Sequence, residues 1–134
     1  MIPSNILAFA QGYAKAWCSD LPERVAAFFA PDGSLKVNDG APAVGRTAIA
    51  AVAQGFMTAF PDMLVSFDRL ERKGERIHFH WTLTGTNTGP GGIGKFVRVS
   101  GYEDWRFAEG GLVAESLGHF DAAEYDRQLQ HGAS

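Results

Sequence analysis

The apolar period of this chain changes once, at Pro61, and that change restricts the fold more than any other feature. Before it, apolar residues recur at helical steps; after it, they alternate as in half-buried strands. Ser4 and Asn5 are N-cap types, and Ile6, Phe9, Ala10, Tyr13 and Trp17 follow along one helical face. Asp20 is expected to open a short second helix in capping-box fashion, with Glu23 three residues on, Pro22 in the first turn, and Val25, Phe28 and Phe29 on the buried side. Pro31-Asp32-Gly33-Ser34 is turn chemistry, and Ser34 to Val37 reads as a short strand. From Thr47 a third helix carries Ile49, Val52, Ala53, Phe56 and Phe60 in one stripe until Pro61 stops it.

Beyond Pro61, Met63, Val65 and Phe67 alternate with Leu64, Ser66 and Asp68. Lys73-Gly74-Glu75 is a hairpin turn, after which Ile77, Phe79, Trp81 and Leu83 alternate with His78, His80, Thr82 and Thr84. A glycine-rich loop covers Gly89 to Gly94. Val97, Val99, Gly101, Glu103, Trp105 and Phe107 then alternate with Arg98, Ser100, Tyr102, Asp104 and Arg106. Glu109-Gly110-Gly111 turns the chain into a last strand, Leu112 to Phe120, and Asp121 to Gln130 forms a polar closing helix. Helices first and hairpins afterwards is an α+β order, without the βαβ alternation that builds a parallel sheet. The 134 residues amount to one domain, 1–134. A chain of this size buries about two-thirds of its unfolded surface, enough for a core that still leaves a cavity. The expected architecture is a curved antiparallel sheet over three helices with an apolar pocket between them. Alternation fixes which residues share a face, not which face turns inward.

A formal charge of −3 without clustered Lys and Arg excludes an electrostatic footprint for nucleic acid. No polybasic helix or bilayer-length apolar run points to a membrane. Met1 to Ala10 has no basic segment followed by an apolar run, so no signal peptide is read and a cytoplasmic location is expected. Cys18 is the single cysteine; intrachain disulfides are impossible, and a buried, inert thiol is the expectation.

Gly89-Pro90-Gly91-Gly92-Ile93-Gly94 matches the dinucleotide fingerprint by letter, but a strand follows it where that fingerprint needs a helix N-terminus. It reads as a hairpin loop. His78 and His80 share one strand face; His119 or Asp104 are the residues that would complete a metal set, no spacing argues for one, and no metal or cofactor is expected. Arg106 and Glu115 read as a cross-strand pair. Asp121 has the chemistry of an N-cap, with Glu124 three residues on. The same carboxylate, at a strand end beside an apolar pocket, would have a raised pKa suited to proton transfer.

Several short stretches carry a resemblance. They are Ala16-Trp17, Phe29-Ala30-Pro31-Asp32-Gly33, Gly45-Arg46-Thr47-Ala48-Ile49 and Ala59-Phe60-Pro61-Asp62 in the first half. Gly85-Thr86, Thr88-Gly89, Trp105-Arg106-Phe107, Leu112-Val113-Ala114-Glu115, Phe120-Asp121 and Arg127-Gln128-Leu129 follow in the second. In this order the chain resembles the SnoaL-like polyketide cyclases of the nuclear-transport-factor-2-like superfamily. The resemblance implies a cone-shaped α+β fold, a homodimer, and cofactor-independent aldol cyclisation with an aspartate as general acid and base. Asp121 matches that aspartate. Asn87, and Ser116-Leu117, stand where the family often has His and His-Trp.

The leading expectation is therefore acid/base chemistry, aldol cyclisation or isomerisation, on a small hydrophobic carbonyl compound. Asp121 would move the proton, and His80 or Tyr102 would hydrogen-bond the developing enolate. Tyr13, Trp17, Phe56 and Phe60 would hold the ligand, with Asp104 and His119 as further contacts. Two alternatives stand beside it. One is epoxide or ester hydrolysis through Asp104, Arg98 or Arg106, and Asp121; the other is a ligand-binding or dimerising module without chemistry.

Overall fold

A computed structural model describes residues 2–133. It contains helices α1 (Ile6–Trp17), α2 (Pro22–Ala26), α3 (Arg46–Ala59) and α4 (Ala122–His131), and strands β1 (Phe29–Val37), β2 (Ala43–Val44), β3 (Leu64–Lys73), β4 (Arg76–Thr86), β5 (Phe96–Phe107) and β6 (Val113–Phe120). The strands form one curved, unclosed sheet in the order β2-β1-β6-β5-β4-β3. β3 to β6 are a meander of antiparallel neighbours, as the hairpin turns require. β1 returns beside β6 in parallel, an exception to the all-antiparallel expectation. The connection from β1 to β6 passes through α3 and the meander, long enough for a parallel pairing.

The local signals explain most boundaries. Asn5 caps α1 by accepting the Ala8 N–H at 3.1 Å, and Asp121 caps α4 by accepting the Glu124 N–H at 3.0 Å. α2 differs from expectation: Leu21 holds the cap position with no side-chain bond, and Asp20 sits at φ +60° in the left-handed region. β1 begins at Phe29 rather than Ser34, because the Pro31-Asp32-Gly33 stretch continues beside β6 through an irregular register instead of turning back. Cys18 is exposed, not buried; its sulfur accepts the Val65 N–H at 3.1 Å.

The core lies between the concave sheet face and the helices. Phe79 and Trp105 stack at 4.8 Å on neighbouring strands, and the Tyr13 ring meets both edge-on from α1. This settles the sheet's direction. Ile77, Phe79, Trp81 and Leu83 face inward on β4, with Val97, Val99, Glu103, Trp105 and Phe107 on β5. His78, His80, Tyr102 and Asp104 consequently face outward. The glycine-rich loop is held by close packing: a side chain at Gly89 would collide with the backbone of Thr58 and Ala59 at the end of α3. Among the described residues, no helix is long and apolar enough to cross a membrane.

Candidate functional site

A cavity of about 60 Å³ lies under the helices, at the centre of the concave face. Leu35 and Val37 of β1, Trp17 of α1 and Phe56 of α3 belong to its wall. Phe79, Trp81 and Leu83 of β4 and Val99 of β5 belong to it too, with Phe120 and Tyr125 where β6 leads to α4. The surface is almost wholly apolar. Its one carboxylate, among the described residues, is Glu103.

Glu103 stands in an inward row otherwise made of apolar residues and glycine, which is why it is buried. Its Oε1 accepts from Ser116 Oγ at 2.7 Å, Tyr13 Oη at 2.9 Å and Trp105 Nε1 at 3.0 Å. Oε2 receives only the longer Tyr13 contact at 3.1 Å, so part of its acceptor capacity is unused. Directly across the β5–β6 pairing stands Gly118. With no side chain there, the space beside the carboxylate stays open to the cavity. Burial pushes the Glu103 carboxyl above the usual glutamate range, and the three donors hold it back only partly. The Tyr13 hydroxyl is raised well above its ordinary value, first by burial and then by the adjacent Glu103 charge.

Two indole N–H groups from the cavity wall, Trp17 Nε1 and Trp81 Nε1, are shut off from solvent without a hydrogen-bond partner. The Trp17 indole lies near enough to Tyr13 to lower its pKa somewhat, yet not in hydrogen-bonding geometry. Orphaned buried donors each cost about 1–3 kcal/mol.

The sequence-predicted residues divide sharply. Trp17 and Phe56 line the cavity. Tyr13 is fully buried but reaches it only through Glu103, and Phe60 is a core residue packed over Gly85. His80, Tyr102, Asp104 and His119 are on the convex face, where Tyr102 lies against His78, His80 and His119 in a row of rings. The parity that turns Glu103 inward turns its neighbours Tyr102 and Asp104 outward. Asp121 is exposed and absent from the cavity wall; its carboxylate is spent on the α4 cap. The acid–arginine–acid trio does not assemble either: Asp104 pairs with Arg76 at 2.7 Å on the convex face, while Asp121 lies beyond the far end of β6. Arg106 and Glu115 do pair across β5 and β6, at 3.9 Å. Sequence reasoning missed Glu103, although a lone acid in an inward-type row was the available signal.

An open, curved sheet wrapped around helices and a central cavity defines the ketosteroid-isomerase-like, or nuclear-transport-factor-2-like, class of folds. Within that class the chain belongs to the SnoaL-like polyketide cyclase family, whose model matches residues 8–129. Solved structures agree on the fold. A nuclear-transport-factor-2-like protein of unknown function from Burkholderia pseudomallei superposes with a TM-score of 0.79 at 24% identity, covering 95% of this chain and 98% of that one. A protein of ketosteroid-isomerase-like fold from Catenulispora acidiphila, in complex with trimethylamine, gives 0.74 at 18% identity over 91% and 88%. TerC, co-crystallised with polyporic acid, gives 0.76 at 13% identity over 92% and 97%. No curated protein matches the chain.

Proposed function

We propose that the protein moves a proton on a small apolar carbonyl compound, as in aldol cyclisation or enol isomerisation, with Glu103 as the proton-carrying group. One observation carries this reading: a carboxylate with a raised pKa stands at the wall of an apolar cavity. A base whose pKa is lifted towards neutrality accepts a carbon-bound proton more readily and still gives it back. The charge that leaves the carbon collects on the carbonyl oxygen, which then needs donors. Trp17 and Trp81, two residues of the wall, carry buried indole N–H groups that lack an acceptor, and either needs only a side-chain shift to meet that oxygen. Tyr13, Trp105 and Ser116 fix the carboxylate in place, so Ser116 has a task at the position where the family often has His. The cavity of about 60 Å³ is well below the ~300–1,000 Å³ of sites for drug-sized ligands. The substrate is accordingly small, or it enters by displacing the half-buried side chains of Phe56, Trp81 and Tyr125.

The test is solvent deuterium exchange into a set of small, enolisable apolar ketones, followed by NMR. The wild-type protein is expected to speed exchange of at least one of them, and Glu103→Gln to reduce that rate by about 100-fold or more. Asp121→Asn is expected to leave it within a few-fold. Loss on Asp121→Asn with retention on Glu103→Gln would move the chemistry to the exposed carboxylate and sink this assignment.

A further inference from the structure

The convex face of the sheet carries a cluster that the cavity chemistry does not use. Glu71 stands directly opposite His78 in the β3–β4 pairing, and His80 follows His78 on the same face of β4. One ligand atom from each residue lies within 4.8 Å of the other two. His80 Nε2 is already 2.8 Å from Glu71 Oε1. The side chains are 34%, 19% and 20% exposed for Glu71, His78 and His80, so an ion can reach them from water while their positions stay restrained.

Strand pairing sets this spacing. Phe67 faces inward and stacks on Phe79 at 5.8 Å. In a regular strand Glu71, four residues later, would face inward too. The register instead shifts between Phe67 and Arg69, a bulge with Asp68 as the extra residue, and this turns Glu71 outward to the histidines. Alternation along the chain offers His119 or Asp104 as a third ligand; the bulge supplies Glu71. The histidines are oriented as well. The His78 ring stacks on Tyr102 at 4.7 Å, and its Nε2 lies 3.6 Å from Asp104 Oδ1.

We propose that Glu71, His78 and His80 form a binding site for a divalent transition-metal ion of the zinc type, with the remaining coordination positions open to water. Two imidazoles and one carboxylate are the donor set that such borderline ions take, whereas magnesium and calcium favour all-oxygen sets. Zinc–nitrogen and zinc–oxygen bonds are about 2.0–2.2 Å, so the Glu71–His80 contact opens slightly to admit the ion while the wider spacings of the trio close around it. Arg69 at 3.3 Å and Lys73 at 3.6 Å also pair with Glu71. Both are long and mostly exposed, and both swing into water when an ion takes their place.

The experiment uses the untagged full chain, stripped with chelator and titrated calorimetrically with Zn²⁺, with Co²⁺ as a spectroscopic substitute. The expected result is one ion per chain and visible Co²⁺ ligand-field bands of imidazole coordination. Binding should weaken roughly tenfold or more in Glu71→Gln and vanish in the His78→Ala/His80→Ala double variant. His119→Ala, on the same face but outside the cluster, should bind as the wild type does. Zn²⁺ should raise the melting temperature of the wild type and of His119→Ala but not of the double variant. If the double variant does not fold, Glu71→Gln, which changes the most exposed of the three, decides alone. Equal Zn²⁺ affinity in wild type and Glu71→Gln, or a Co²⁺ spectrum of the hydrated ion only, overturns the site.

Discussion

Glu103 gathers three donors onto a buried carboxylate, and the balance between them and burial leaves its pKa raised. The consequence for stability has a definite sign. A group that holds its proton more tightly in the folded state stabilises the fold fully below its ordinary value of 4.5, and loses that contribution as pH rises through the folded value. Urea denaturation of the wild type and Glu103→Gln, at about pH 4.5 and about pH 8, reads this directly. The amide should gain on the carboxylate as pH rises, while the neutral side chains remain nearly matched at the acid end. A difference that stays flat across the range would show that the carboxyl titrates normally. The residue was half legible in the sequence. Its place in the row of Val97, Val99, Trp105 and Phe107 was visible, but its burial depended on which face the helices cover.

Among the elements, α4 is the one whose attachment holds the last part of the cavity wall, since Tyr125 belongs to it and Phe120 precedes it. The helix is polar, and it docks largely through Gln128, which is buried. Gln128 Oε1 accepts the Arg98 backbone N–H at 2.7 Å, and its Nε2 donates to Glu124 Oε2 at 2.7 Å. Bonds from Arg127 and then Gln128 hold the Glu124 carboxyl down to about 2, so this tie persists far into acid. Gln128→Ala leaves the Arg98 N–H without its acceptor, and a loss of about 1–3 kcal/mol is expected. Amide hydrogen exchange should accelerate along α4 and at Arg98 while the protection of β4 is unchanged. Unaltered exchange in α4 would mean that packing of Tyr125 and Leu129 suffices to hold the helix. The cap at Asp121 was readable from residue type and spacing, because an N-cap is a local device. The bulge at Asp68 was not, because nothing local marks the residue that a neighbouring strand leaves unpaired.

At the scale of the whole molecule, one continuous core surrounds a small void, and the void is a stability cost retained beside the carboxylate. Val99→Ile adds one methylene to its wall. If the added group enters the void without strain, it should stabilise the protein by about 0.8 kcal/mol and depress ketone exchange through loss of room. Thermal melting and the exchange assay measure the two effects on the same sample. A destabilised variant would indicate that the wall is already close-packed at Val99.

The order of the helices and of the longer strands, the stop at Pro61, the hairpin at Gly74 and the caps at Asn5 and Asp121 were determined by the sequence alone, whereas the two-residue β2 was not. Each follows from residues within a few positions of one another, through propensity, period or a side-chain bond to nearby backbone. The direction of the sheet's pleat, the burial of Glu103, the outward turn of Glu71 and the exposure of Asp121 were decided only by tertiary structure. Alternation is symmetric between the two faces of a strand, and the symmetry is broken when helices cover one face and a bulge reverses the parity beyond it. That is why the carboxylate in the cavity wall is residue 103, while the one at the end of the last strand was free to cap a helix.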